Sequence, residues 1–127
     1  MKTILHIEDD HSIAEAVELI LSLKNYRTLH HDFFETFEEF VHLVETARPD
    51  LIIVDVKLPF IDGRDLCSFA KQDKRLKHIP LLVCSSIKLS NSEMKACMAD
   101  AYIGKPFDIG KMQVAVESLL SKENIAA

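Results

Sequence analysis

The stretch Leu51-Ile52-Ile53-Val54 sets four large aliphatic side chains in a row and ends at the carboxylate of Asp55. An uninterrupted apolar run of this length fits a strand buried on both faces, as in a parallel sheet. Parallel strands need crossover connections, usually helices laid on the sheet. The rest of the chain supplies both. Thr3 to Ile7 and Leu81 to Cys84 are further short apolar runs, the second entered through Pro80; Tyr26 to His30 is a weaker one and Ala101 to Gly104 a brief one. Between them apolar residues recur at helical spacing. Ile13, Ala16, Val17, Ile20 and Leu21 form one stripe, stopped by Asn25, and Phe37, Phe40, Val41 and Val44 a second, ended before Pro49. Leu66, Phe69 and Ala70 suggest a third helix after a loop punctuated by Pro59 and Gly63, and Ser92 to Ala99 a fourth. Met112, Val116, Leu119 and Leu120 give the last, with Asp108 as its cap. Five strand-then-helix units with right-handed crossovers predict an α/β fold, a doubly wound (βα)5 sandwich around a five-stranded parallel sheet.

The 127 residues suit one domain, expected over residues 1–122 with a fraying tail at 123–127. A formal net charge of -5 without a Lys/Arg cluster argues against direct binding of nucleic acid or of an anionic membrane surface. The apolar stretch after Lys2 meets charge at Glu8, too soon for a signal-peptide core, and no apolar run approaches a membrane span, so a cytoplasmic location is expected. Cys67, Cys84 and Cys97 are odd in number and form no C-x-x-C pair, which fits reduced, buried thiols. The histidines form no H-x-x-x-H pair, and His30-His31 are expected on an exposed loop rather than around a metal. Phe33, Phe34, Phe37 and Phe40 read as helix packing, with one or two left over for the surface.

In doubly wound sheets ligands bind outside the carboxyl ends of the strands, where the strand order reverses. The expected strand ends carry Glu8-Asp9-Asp10, Asp55, Ser85-Ser86 and Lys105-Pro106. Packed carboxylates repel one another unless a cation sits between them, and a site of oxygen donors suits Mg²⁺. Phosphoryl transfer needs a nucleophile and charge neutralisation around the transferred oxygens. Asp55 can be the nucleophile, while Mg²⁺, Lys105 and the Ser85 hydroxyl can each meet a phosphoryl oxygen. Singly, each has a plainer reading: Glu8-Asp9-Asp10 as a helix cap, Asp55 and Ser85 as turn residues, Lys105-Pro106 as a loop opening the last helix. Four strand ends supplying one matched set outweigh those readings together.

The stretches ILHIEDD, DLIIVDVKLPFIDGRDL, IPLLVCSS and ADAYIGKPF, in this order, resemble the receiver domain of bacterial two-component response regulators from Lys2 to about Leu120. The resemblance implies a flavodoxin-like sheet of order 2-1-3-4-5 and a switch that catalyses only its own phosphorylation and dephosphorylation. It makes Asp55 the phosphoacceptor and Glu8 and Asp9 the acidic pair, with Asp9 binding Mg²⁺ directly and Glu8 largely through water; Asp10 lies just beyond the pair as a weaker candidate. Lys57 would lend its backbone carbonyl to the metal. Ser85 becomes the switch hydroxyl, Lys105 the phosphoryl-binding lysine, and Tyr102 the aromatic switch residue. Implied partners are a histidine kinase or histidine phosphotransfer protein as donor and a downstream protein effector. Departures from the family pattern are the Lys57 cation beside the acceptor, Phe60 where a small turn residue is common, Ser86 where alanine is usual, and Met98 where glycine often ends the fourth helix.

Three other readings fit less well. A haloacid-dehalogenase-type phosphatase needs its nucleophilic Asp after the first strand, where Glu8 stands. A flavin carrier needs a Ser/Thr/Gly phosphate loop there, and three acids would repel the phosphate. A pure interaction module would not need the full set of acid, hydroxyl and lysine.

Overall fold

The computed structural model describes the backbone of residues 1–126 and the side chains of residues 1–121. Strands and helices alternate along the chain: β1 (Thr3–Ile7), α1 (His11–Ser22), β2 (Arg27–His31), α2 (Phe37–Ala47), β3 (Leu51–Asp55), α3 (Gly63–Gln72), β4 (Leu81–Ser85), α4 (Asn91–Cys97), β5 (Ala101–Gly104) and α5 (Ile109–Ala126). The strands form one sheet in the order β2-β1-β3-β4-β5, with every neighbouring pair parallel. This is the expected flavodoxin-like arrangement. From β1 the chain goes outward to β2 and then back past β1 to β3, so the order reverses between β1 and β3, where Glu8 and Asp55 end their strands.

Burial explains why some strands are obvious in sequence and one is not. All five residues of β3 and of β4 are buried, whereas the edge strand β2 has none in that class. Successive side chains on a strand point to opposite faces, and the apolar residues divide accordingly. Leu5, Ile7, Ile52, Val54 and Val83 pack with Phe34, Phe40 and Leu66 under α2, α3 and α4. Ile4, Ile53, Leu82 and Cys84 pack with Val17, Leu21, Met112 and Val116 under α1 and α5. Each fully buried Leu or Ile contributes about 2 kcal/mol of apolar burial.

The helix starts carry caps. Asp10 accepts from the Ser12 and Ile13 N–H groups, Thr36 from Glu39 and Asp62 from Arg64, while Ser90 and Glu93 form a reciprocal capping box. Asp108 accepts from the Lys111 N–H, as expected for the last helix.

Several local expectations shift. Gly63 opens α3 instead of punctuating a loop, and β2 begins at Arg27. Helix α4 stops at Cys97, short of the expected Ala99, because Met98 turns left-handed with φ 63°. Phe60 is also left-handed, with φ 62°, so both positions where the family favours a glycine or small residue do demand that conformation. His30 and His31 lie on β2 rather than in a loop. Phe34 and Phe40 are buried, whereas Phe33 stacks on the exposed Phe60 and Phe37 on Phe69. The cysteines are free and buried. Among the described residues no helix is long and apolar enough to cross a membrane. Ala127 and the side chains of 122–127 lie outside the described residues; the backbone of 123–126, expected as a tail, continues α5.

Candidate functional site

The strand ends deliver their side chains into one cleft. Glu8 follows β1 directly, Asp55 closes β3, and Lys105 follows β5 directly, its N–H tied to the Ser85 carbonyl at 2.8 Å. The Lys105 Nζ lies 2.5 Å from Glu8 Oε1 and 2.7 Å from Asp55 Oδ1, so one ammonium bridges two carboxylates. All three side chains are largely shielded from water, at 12% exposure for Lys105, 2% for Glu8 and 9% for Asp55. Asp9 is exposed and stands at the mouth, with a ligand oxygen within 4.8 Å of those of Glu8 and Asp55.

The charges are strongly coupled. Burial pushes the Glu8 carboxyl above the usual glutamate value; the Lys105 hydrogen bond pulls back and the Asp55 charge pushes further up. Burial works to lower the Lys105 pKa, but the hydrogen bonds and charges of Asp55 and Glu8 outweigh it and raise it overall. Behind them His6 is buried; desolvation, aided by His30 and Lys105, holds it down to about 3, so it stays neutral.

The donor set fits a small hard cation. Octahedral Mg²⁺ holds oxygens at about 2.0–2.1 Å, placing ligands about 3 Å apart when adjacent and about 4.2 Å when opposite. Three carboxylates within 4.8 Å of one another reach that spacing with small side-chain movements. Glu8, Asp9 and Asp55 could therefore hold such an ion, which would also relieve their mutual repulsion. Asp10, by contrast, is committed to capping α1. Lys57 is exposed in the loop after β3.

The remaining expected residues face elsewhere. The buried Ser85 hydroxyl donates to the Ile87 carbonyl at 2.6 Å and accepts from the Ile87 N–H at 3.1 Å. The Tyr102 hydroxyl donates to the Met94 carbonyl of α4. Thus Glu8, Asp9, Asp55 and Lys105 are together, while Ser85 and Tyr102 are held by the β4–α4 side.

Sequence reasoning missed two contributors. A Cβ on Gly63 would lie 1.8 Å from the Asp55 carbonyl oxygen, and the Gly63 N–H donates to Val56 O at 2.9 Å. The missing side chain lets α3 start against the backbone of Asp55. The other is His30, whose Nε2 sits 2.6 Å from the Glu8 carbonyl oxygen. Gly63 was visible as a lone glycine in the loop after Asp55, but its role needed the packing. Nothing in the spacing of His30 pointed to Glu8.

The family model for the response regulator receiver domain matches residues 4–117. The chain is 30% identical over 126 residues to the alkaline phosphatase synthesis transcriptional regulatory protein PhoP of Bacillus subtilis, covering 99% of this chain but only 51% of that protein. It therefore spans about half the length of this relative. A signal receiver domain of a signal transduction histidine kinase from Syntrophus aciditrophicus superimposes with a TM-score of 0.84 at 33% identity, covering 96% of this chain and 92% of that one. The receiver domain of a sensor histidine kinase from Pseudomonas aeruginosa, solved with a magnesium ion coordinated in its active-site cleft, shares the fold with a TM-score of 0.79 at 20% identity over 94% of this chain and 98% of that one.

Proposed function

The chain belongs to the response regulator receiver family of two-component signalling, and on that premise we propose that Asp55 accepts a phosphoryl group in a Mg²⁺-dependent reaction. Receiver domains are signalling switches, and the proposed domain covers residues 1–122. The observation that carries the reading is the bridging of Asp55 and Glu8 by Lys105, with Asp9 at the mouth.

Glu8, Asp9, Asp55 and the backbone carbonyl of Lys57 would hold the metal, which when bound would neutralise a phosphoryl oxygen. The residues of the chain do the rest. An Asp55 carboxylate oxygen attacks the phosphorus of a phosphohistidine on a histidine kinase or phosphotransfer protein. The new O–P bond forms as the P–N bond breaks, and its electron pair returns to the donor imidazole. Lys105 holds the other Asp55 oxygen and then a phosphoryl oxygen. Ser85 leaves Ile87 and donates to a further oxygen, and Tyr102 rotates into the space it vacates. The surface formed by α4, β5 and α5 changes and is read by a protein effector. The phosphoryl group favours that state because Ser85 and Lys105 both meet its oxygens only there.

No direct contact with nucleic acid is proposed for this domain, on its charge of -5; the transcriptional regulatory protein it resembles extends well beyond the matched half. A cytoplasmic location is proposed on the same footing as the partners.

The test is incubation with a small phosphodonor such as acetyl phosphate, followed by intact-mass measurement. One phosphoryl group per chain is expected with Mg²⁺, and none with chelator or in Asp55→Ala. Labelling that survives chelation would contradict the proposed chemistry. Candidate effectors should bind more tightly when beryllofluoride mimics the phosphoryl group, and Ser85→Ala should weaken that gain.

A further inference from the structure

On the β2 side of the acidic pocket two imidazoles meet a carboxylate. His11 opens α1, His30 lies on β2, and Asp32 follows that strand directly. Alternation along the extended chain puts His30 and Asp32 on one face, and the short β1–α1 connection brings His11 over them. The His11 Nε2 is 3.0 and 3.1 Å from the two Asp32 carboxylate oxygens, and the His30 Nε2 is 3.4 Å from Asp32 Oδ1. The two rings stand edge to face with centroids 5.4 Å apart. A ligand atom from each of the three residues lies within 4.8 Å of the others. A tetrahedral ion with ligands at about 2.0–2.1 Å spaces them about 3.3 Å apart, close to the separations found here.

We propose that His11, His30 and Asp32 form a binding site for Zn²⁺ or a similar late first-row divalent ion, at the lip of the acidic pocket and distinct from it. Two imidazoles and one carboxylate leave a fourth position for water or for a donor from a bound protein. Nitrogen ligands favour zinc-class ions, whereas the all-oxygen set of Glu8, Asp9 and Asp55 favours Mg²⁺, so ligand chemistry sorts the two metals. The side chains are 67% (His11), 28% (His30) and 46% (Asp32) exposed, open enough for an ion to enter from solvent. On binding, the ion takes the place of the proton between His11 and Asp32. The His30 ring exchanges its contact with the Glu8 carbonyl for the metal. The ion thereby ties the first turn of α1 to the end of β2 and alters the backbone partner of a residue in the acidic pocket.

The test is calorimetric titration of the full chain with ZnCl2 in saturating Mg²⁺, with Co²⁺ absorption as a second probe. One Zn²⁺ per chain is expected. His11→Ala and Asp32→Asn should each weaken it at least about tenfold, since each removes one of only three protein ligands. Asp9→Asn should leave it unchanged, and the tetrahedral Co²⁺ band should vanish in His11→Ala. His11 and Asp32 are well exposed, and circular dichroism will show the variants folded. Absent binding, binding undiminished in His11→Ala, or binding lost only in Asp9→Asn would overturn the proposal, the last by assigning the ion to the acidic pocket.

Discussion

On the β1–β3 side of the cleft the polar groups already face one another: Lys105 bridges Glu8 and Asp55, and Asp9 stands beside them. On the β4–α4 side they are satisfied locally, Ser85 by Ile87 and Tyr102 by Met94. The first arrangement rests on strand ends in fixed register and on the close approach of Gly63 to Asp55, with the Lys105 ammonium reaching in from the end of β5. The second is set by side-chain hydrogen bonds, each worth about 1 kcal/mol net. A site assembled before its ligand arrives therefore sits next to groups that a new charge could redirect at modest cost. Phe60, in the loop after Asp55, and Met98, at the carboxyl end of α4 and the opposite end of the sheet, both hold left-handed conformations that cost a non-glycine residue about 1–2 kcal/mol apiece.

The hardest blow to the rigid side is Gly63→Val. Its side chain must displace the Asp55 carbonyl, so a loss of about 3 kcal/mol or more is expected from urea unfolding, together with impaired labelling. An unchanged midpoint would mean that the α3–β3 approach is loose. On the adjustable side, Ser85→Ala should cost about 1 kcal/mol, because the Ile87 N–H loses its acceptor, yet Mg²⁺-dependent labelling should persist. Loss of labelling would move Ser85 to the preassembled side. Met98→Gly should raise stability by up to about 1 kcal/mol, since the exposed side chain contributes little against its left-handed backbone. A lower melting temperature would show that Met98 packs more than its exposure implies.

The subtlest probe is pH. The folded Glu8 carboxyl keeps its proton to higher pH than the unfolded one, whose ordinary value is 4.5. Its stabilising contribution is therefore complete below 4.5 and is lost as pH rises through the folded value. Glu8→Gln should gain on the wild type between acidic and neutral pH in paired unfolding curves. A difference that stays flat, or that runs the other way, would mean that Lys105 outweighs burial at Glu8.

The same contrast separates what could be read in the sequence from what could not. β3 and β4 were plain because strands buried on both faces need unbroken apolar runs, and Asp55, Glu8, Asp9 and Lys105 stood where those strands and their neighbours end. β2 was harder because an edge strand keeps polar residues: the weak run from Tyr26 to His30 did mark the strand, yet the His30-His31 pair was also expected in an exposed loop, whereas both residues lie on the sheet. The end of α4 was misjudged by two residues because Met98, with an ordinary helix propensity, adopts a glycine-like turn that only tertiary context imposes. The meeting of His11, His30 and Asp32 joins residues 21 positions apart at its widest, with no local motif to announce it.

The central claim is that the preassembled carboxylate at position 55 is the nucleophile. Borohydride reduction of phosphodonor-treated protein, followed by peptide mass mapping, tests it directly, because reduction turns an aspartyl phosphate into homoserine. Homoserine at position 55 alone, formed only when Mg²⁺ is present, is the predicted result. Homoserine at position 9 or 10, or a label on a histidine, would contradict it.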